Sequence, residues 1–190
     1  MADLRALPAF KALIFDCDGT LVISADLHFA AFNVALAQQG FAMDPAWYAA
    51  RTGLARSDLL GALAEVYPGL DVARAVQGSI EATLGAAAVC APNAPVVDLA
   101  RAWFGRVPMA VASNAEGAVL RAMLGACDLG ALFDPIVSLD DAGVAKPDPA
   151  MFLLAAARMG VAPADCLVLE DSDQGMQAAR AAGMLAVDVR

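Results

Sequence analysis

Short apolar runs recur between longer stretches of helical periodicity: ALIF at 12–15, VPMAV at 107–111, PIVS at 135–138, CLVL at 166–169 and MLAV at 184–187. Such runs have no polar face, which suits strands covered on both sides, and their alternation with helical segments predicts an α/β fold with a largely parallel sheet. The rhythm fails between residues 24 and about 92, where helical patterns occur without a convincing strand. Ser24 is placed to cap a helix from Ala25 to Gln39 whose Phe29, Phe32 and Leu36 share one face, and Gly40 suits its left-handed end. Further helices are expected from near Ser57 to before Pro68 and over residues 72–84. This block reads as an all-helical insertion after the first strand. The proline-bearing segment APNAPVV, 91–97, then returns the chain to the sheet.

Open α/β sheets bind ligands beyond the carboxyl ends of their strands, and the residues there form a set. They are Asp16 and Asp18 in LIFDCDGTL, Ser113 and Asn114 in VASNAEGAVL, Lys146 in AKPDP, and Glu170 with Asp171 after CLVL. The spacing of two puts Asp16 and Asp18 on one side of an extended segment, and Gly19 lets the chain turn away. Cys17 points to the opposite face and reads as packing. Two carboxylates in one pocket can divide labour between nucleophile and proton carrier. Four carboxylates in one cleft repel one another by roughly 4 kcal/mol per pair at about 4 Å and an effective dielectric of about 20, so a cation is required among them. A hard divalent ion such as Mg²⁺ suits oxygen ligands, and Lys146 supplies a second positive charge. Ser113 and Glu116 have capping-box spacing, which implies a helix through Leu124 whose free N–H groups could also meet a phosphate.

The acidic balance, a net charge of −9 with pI near 4.4, argues against nucleic acid or an anionic membrane as a partner. A hydrophobic share of 60% supplies core enough for one domain with an insertion, yet no apolar run reaches the length of a membrane span. With no secretory pattern at the N-terminus, and with Cys17, Cys90, Cys127 and Cys166 scattered without metal-site spacing, a cytoplasmic protein with reduced thiols is expected.

The motifs DCDGTL, VASN, KPDP and LEDSDQGMQAARAAGM, in this order, resemble the four motifs of the haloacid dehalogenase superfamily, and with the insertion they cover nearly the whole chain. The resemblance implies a Rossmann-like parallel core, residues 1–22 and 93–190, with a small helical cap, 23–92, of the β-phosphoglucomutase-like branch. It implies Asp16 as nucleophile, Asp18 as general acid/base, and Ser113 and Lys146 on the phosphate. Mg²⁺ would be held by Asp16, the Asp18 backbone carbonyl and Asp171, with Glu170 close by. The carboxyl-terminal half is similar to fructose-1-phosphate phosphatases, and FDCDGTLV and KPDPA to 6-phosphogluconate phosphatases, so a small sugar phosphate is the implied substrate. The aspartate usual after DGTLV is Ile23 here. A mutase is the alternative: His28 and Arg56 match cap residues of β-phosphoglucomutase, although His28 also fits a packed helix position beside Phe32 and Arg56 a solvated one. A catalytically silent sugar-phosphate sensor is the alternative outside enzymes. Asn114 is a further candidate for contact with substrate. The sequence contains no indication of oligomeric state.

Overall fold

The computed structural model describes residues 7–190. Strands Ala12–Phe15 (β1), Met109–Ala112 (β4), Ile136–Val137 (β5), Cys166–Glu170 (β6) and Leu185–Asp188 (β7) form one parallel sheet in the order β5-β4-β1-β6-β7. The first strand is therefore central, and the chain reverses direction across the sheet on either side of it. That crevice is where an open α/β sheet presents ligand groups.

Alternate strand residues enter two separate cores, which is why the runs show no polar face. Leu13, Phe15, Met109, Val111, Leu167 and Leu169 pack with Ala94–Trp103 (α5) and Gly117–Ala126 (α6) on one side. Ile14, Ala110, Ala112, Val137 and Val168 pack on the other with Ala150–Met159 (α8) and Asp173–Ala181 (α9). Phe152 of α8 is fully buried, a burial that stabilises the fold by about 2–3 kcal/mol.

Helices Ala25–Ala37 (α1), Pro45–Ala49 (α2), Arg56–Val66 (α3) and Val72–Ala86 (α4) enclose a third core around Phe32, Leu36, Leu59, Leu60 and Leu63. The short α2 carries no strong periodicity; Asp44 caps it by accepting from Trp47 N–H at 2.8 Å. The two crossings between this block and the sheet pair with each other. Val22–Ile23 (β2) lies antiparallel to Ala91–Pro92 (β3), and Asn93 N–H donates to Leu21 C=O at 2.9 Å. No sequence pattern announces this ladder, since two residues are too few to alternate.

Leu139–Ala142 (α7) leads into the loop that carries Lys146. The Ser138 hydroxyl and N–H donate to Asp141 Oδ2 at 2.6 and 3.0 Å, and with Arg158 these hold the Asp141 carboxyl down at about 2. A depressed carboxyl stabilises the fold above its unfolded value near 3.9 and loses that effect as pH falls through about 2. Asp141→Ala should cost about 1 kcal/mol at pH 7, and urea titrations should show the gap to the parent closing below about pH 4.

Among the described residues, no helix is long and apolar enough to cross a membrane.

Candidate active site

The carboxyl ends of β1, β4 and β6 converge with the Lys146 loop on a cleft of about 240 Å³, lined on its far side by the helical block. Lys146 Nζ donates to Asp16 Oδ1 at 2.6 Å and to Glu170 Oε2 at 2.8 Å, and all three side chains are buried. The ammonium lies 4.7 Å from the ring centre of Phe152, which forms its floor. Burial alone would lower the lysine pKa, but the two carboxylates outweigh it and push it up. Asn114 Oδ1 accepts from Lys146 N–H at 2.9 Å and so fixes the loop from its backbone.

One ammonium faces three carboxylates. Asp16, Glu170 and Asp171 each offer a ligand atom, and these atoms lie within 4.8 Å of one another. Burial, then Glu170, push Asp171 up to about 6, against the opposing hydrogen bond from the Thr20 hydroxyl at 2.9 Å. Burial and Glu170 also raise Asp16, with only Lys146 opposing them strongly. This excess of negative oxygen, all hard donors, fits a divalent cation. Gly19 supports the same reading: at its φ of +83° a Cβ would overlap the Asp171 carboxylate, so glycine leaves the room that Asp171 occupies.

Glu170 Oε1 accepts from the N–H groups of Asp171 and Ser172 and from the Ser172 hydroxyl, which aims its other oxygen at Lys146. Gly175 on α9 is what admits that carboxylate, since a Cβ there would overlap its Oε2. Gly175→Ala should therefore lower stability by about 1–3 kcal/mol and displace Glu170 from the lysine, as thermal unfolding would register. Neither Thr20 nor Gly175 is marked by charge or periodicity, so both escape a reading of the sequence.

Asp18 faces the helical block. Its Oδ1 accepts from the Ser24 hydroxyl at 2.6 Å and lies 2.7 Å from His28 Nε2, while the Ser113 hydroxyl reaches its Oδ2 at 3.4 Å. Burial would raise Asp18, yet the His28 charge and the His28 and Ser24 hydrogen bonds outweigh it and hold the carboxyl at about 2. A nitrogen lone pair and a carboxylate would repel at 2.7 Å, so a proton lies between Asp18 and His28. His28 is thus more than packing beside Phe32, whose ring centre is 6.5 Å away.

Four sequence expectations change. Ser24 precedes α1 but makes no side-chain cap, because its hydroxyl goes to Asp18. The box expected from Ser113 and Glu116 does not form: α6 begins at Gly117, whose N–H is taken by Asp140 Oδ2 at 2.8 Å. Asn114 is not a free substrate group, since its Nδ2 donates to Gly53 C=O at 3.1 Å while its Oδ1 holds Lys146 N–H. Arg56 is not solvated. It is buried, with Nε donating to both Glu116 oxygens at 3.1 and 3.2 Å, Nη1 donating to the Ser79 hydroxyl at 3.1 Å, and its guanidinium 5.2 Å from the Phe32 ring centre. Glu116, hidden by its capping-box spacing, is the partner sequence reasoning missed.

An acidic centre at the carboxyl edge of a parallel sheet, with a helical block closing over it, is the architecture of a Rossmann-like α/β hydrolase. The chain belongs to the haloacid dehalogenase-like hydrolases, whose family profile matches residues 10–183. It is 38% identical over 182 residues to the fructose-1-phosphate phosphatase YqaB of Escherichia coli K12, covering 95% of this chain and 97% of that one. It is 28% identical to β-phosphoglucomutase of Bacillus subtilis 168, over 94% of this chain and 83% of that one. A crystal structure of CbbY from Rhodobacter sphaeroides in complex with xylulose-(1,5)-bisphosphate superposes with a TM-score of 0.83 at 26% identity, covering 93% of this chain and 84% of that one.

Proposed function

We propose that this hydrolase is a Mg²⁺-dependent phosphatase that releases phosphate from a small sugar phosphate through an aspartyl-phosphate on Asp16. The observation that carries the reading is the buried Lys146 ammonium 2.6 Å from Asp16, inside a group of carboxylates that only a further cation can neutralise. Lys146 holds the attacking carboxylate in place and can meet a phosphate oxygen beside it. Asp16 attacks phosphorus, the ester P–O bond breaks, and Asp18, entering this step protonated, gives its proton to the leaving alkoxide. Asp18, ionised by that transfer, then accepts a proton from the water that attacks phosphorus, breaks the acyl phosphate and regenerates Asp16. The Ser113 hydroxyl, 3.4 Å from Asp18 Oδ2, would donate to the phosphate. Asp16, Asp171 and the Asp18 carbonyl would hold Mg²⁺, with Glu170 anchoring the lysine. The ion would supply charge neutralisation of the phosphoryl oxygens.

In this reading residues 1–22 and 93–190 are the catalytic core, and residues 23–92 are a cap hinged on the β2–β3 ladder that excludes water. The acidic charge balance weighs against nucleic acid or membrane as partner, the Lys146 site supports a small phosphorylated sugar, and the four free cysteines fit a cytoplasmic site of action. The decisive experiment is a phosphate-release screen across sugar phosphates with Mg²⁺ and with a chelator. Release from at least one sugar monophosphate is expected with Mg²⁺ and should fall to background with chelator. Release indifferent to the chelator, or none from any sugar phosphate, would reject the proposal.

A further inference from the structure

We infer that the leaving-group side of the cleft selects a neutral, hydroxylated group and rejects a second anion, and that Glu116 is the residue that decides this. The inference rests on the phosphatase reading and names its substrate class as polyol or sugar monophosphates, excluding bisphosphates and phosphorylated carboxylic acids, and thus setting the fructose-1-phosphate likeness above the 6-phosphogluconate one.

Among the described residues, both permanent cations that line the cleft already have anionic partners. Lys146 is held by Asp16 and Glu170, and Arg56 by Glu116, while His28 is hydrogen-bonded to Asp18. On the phosphoryl side, three carboxylates exceed the one ammonium, and a divalent ion restores the balance there. On the opposite side, Arg56 is the guanidinium that could receive a second phosphate, and it is engaged with Glu116 across the gap between α3 and the start of α6. Both partners are largely shielded from water, with 5% and 18% of their side-chain surfaces exposed, so solvent does little to screen either charge. A phosphate arriving beside Arg56 would meet the Glu116 carboxylate at the same guanidinium. Like charges about 4–8 Å apart in such a setting reduce affinity by roughly 10-fold or more relative to a guanidinium with no carboxylate partner.

A hydroxyl meets no such penalty. Arg56 Nη2 makes no hydrogen bond to another of the described residues, and a carboxylate that takes only the Nε–H of arginine keeps accepting capacity. The pair therefore offers both a donor and an acceptor to a polyol while remaining neutral as a unit. The lining that the helical block adds around this pair, Phe32, Leu54 and Leu59 with Tyr48 and Thr52, presents no further charge. A cleft of about 240 Å³ lies near the lower end of small-molecule sites, which also favours a compact substrate with one phosphate.

The test compares kcat/KM for fructose 1-phosphate, fructose 1,6-bisphosphate and 2-phosphoglycolate with Mg²⁺, in the parent and in Glu116→Gln. The parent is expected to prefer the monophosphate over both substrates that carry a second anionic group by about 10-fold or more. Glu116→Gln leaves the Arg56 charge uncompensated and should raise the ratio of bisphosphate to monophosphate kcat/KM by about 10-fold, mainly through KM of the bisphosphate. A parent that turns over the bisphosphate as well as the monophosphate overturns the inference. So does a Glu116→Gln enzyme in which all three substrates fall together, because Glu116 would then act only as a clasp between α3 and α6. A variant that fails to fold leaves the parent's preference as the deciding measurement, supplemented by competitive inhibition of monophosphate turnover by the bisphosphate. The two readings fail separately: no phosphate from any sugar phosphate removes the phosphatase, whereas equal turnover of mono- and bisphosphate removes only the charge selection.

Discussion

Asp16→Asn is expected to lower Mg²⁺-dependent phosphate release by about 10⁴-fold or more. The amide keeps the shape of the carboxylate and still accepts the hydrogen bond that Lys146 makes at 2.6 Å, but it has no anionic oxygen with which to attack phosphorus. Stability should not fall in parallel. Burial and the neighbouring Glu170 raise the Asp16 pKa, so its charge opposes folding at neutral pH, and a neutral isostere relieves that opposition. An inactive variant that unfolds at or above the parent's Tm is the expected combination. Release within about tenfold of the parent would exclude Asp16 as the nucleophile. The same variant separates enzyme from sensor, since a sensor has no turnover to lose.

Lys146→Met is expected to lower stability by about 3–5 kcal/mol and to abolish measurable phosphate release. Methionine preserves the packing of the aliphatic stem, so what is removed is the charge itself. Asp16 and Glu170 then stand buried with no ammonium between them, and breaking one partner of such a group costs far more than the group contributes as a whole. For a chain of this size the loss corresponds to roughly 10 °C in Tm. Saturating Mg²⁺ should recover part of that loss, because an ion that binds the folded state alone stabilises it by mass action. A methionine variant as stable as the parent would mean that the three carboxylates are not held together by this lysine.

The helical block shows how far local patterns reach. Helices α1, α3 and α4 lie within a few residues of where periodicity and turn residues place them, and β1 coincides with its apolar run. The caps of α1 and α6 differ from local expectation, because Ser24, Ser113 and Glu116 suit a helix cap by type and spacing. Each of these side chains instead meets a partner from another segment, Asp18 for the two serines and Arg56 for the glutamate. A cap is a local preference of about 1 kcal/mol, and a buried carboxylate or guanidinium demands more than that.

Sequence alone was enough for the α/β class, for the helical insertion, and for the group Asp16, Asp18, Ser113, Lys146, Glu170 and Asp171, because strand ends and motif order are written in consecutive residues. Tertiary structure decided which charges meet: that Asn114 serves the Lys146 loop, that Gly19 and Gly175 admit carboxylates, and that Arg56 is neutralised by a residue 60 positions away. Charge pairing depends on distance in space and on the exclusion of water, and neither quantity has a period along the chain.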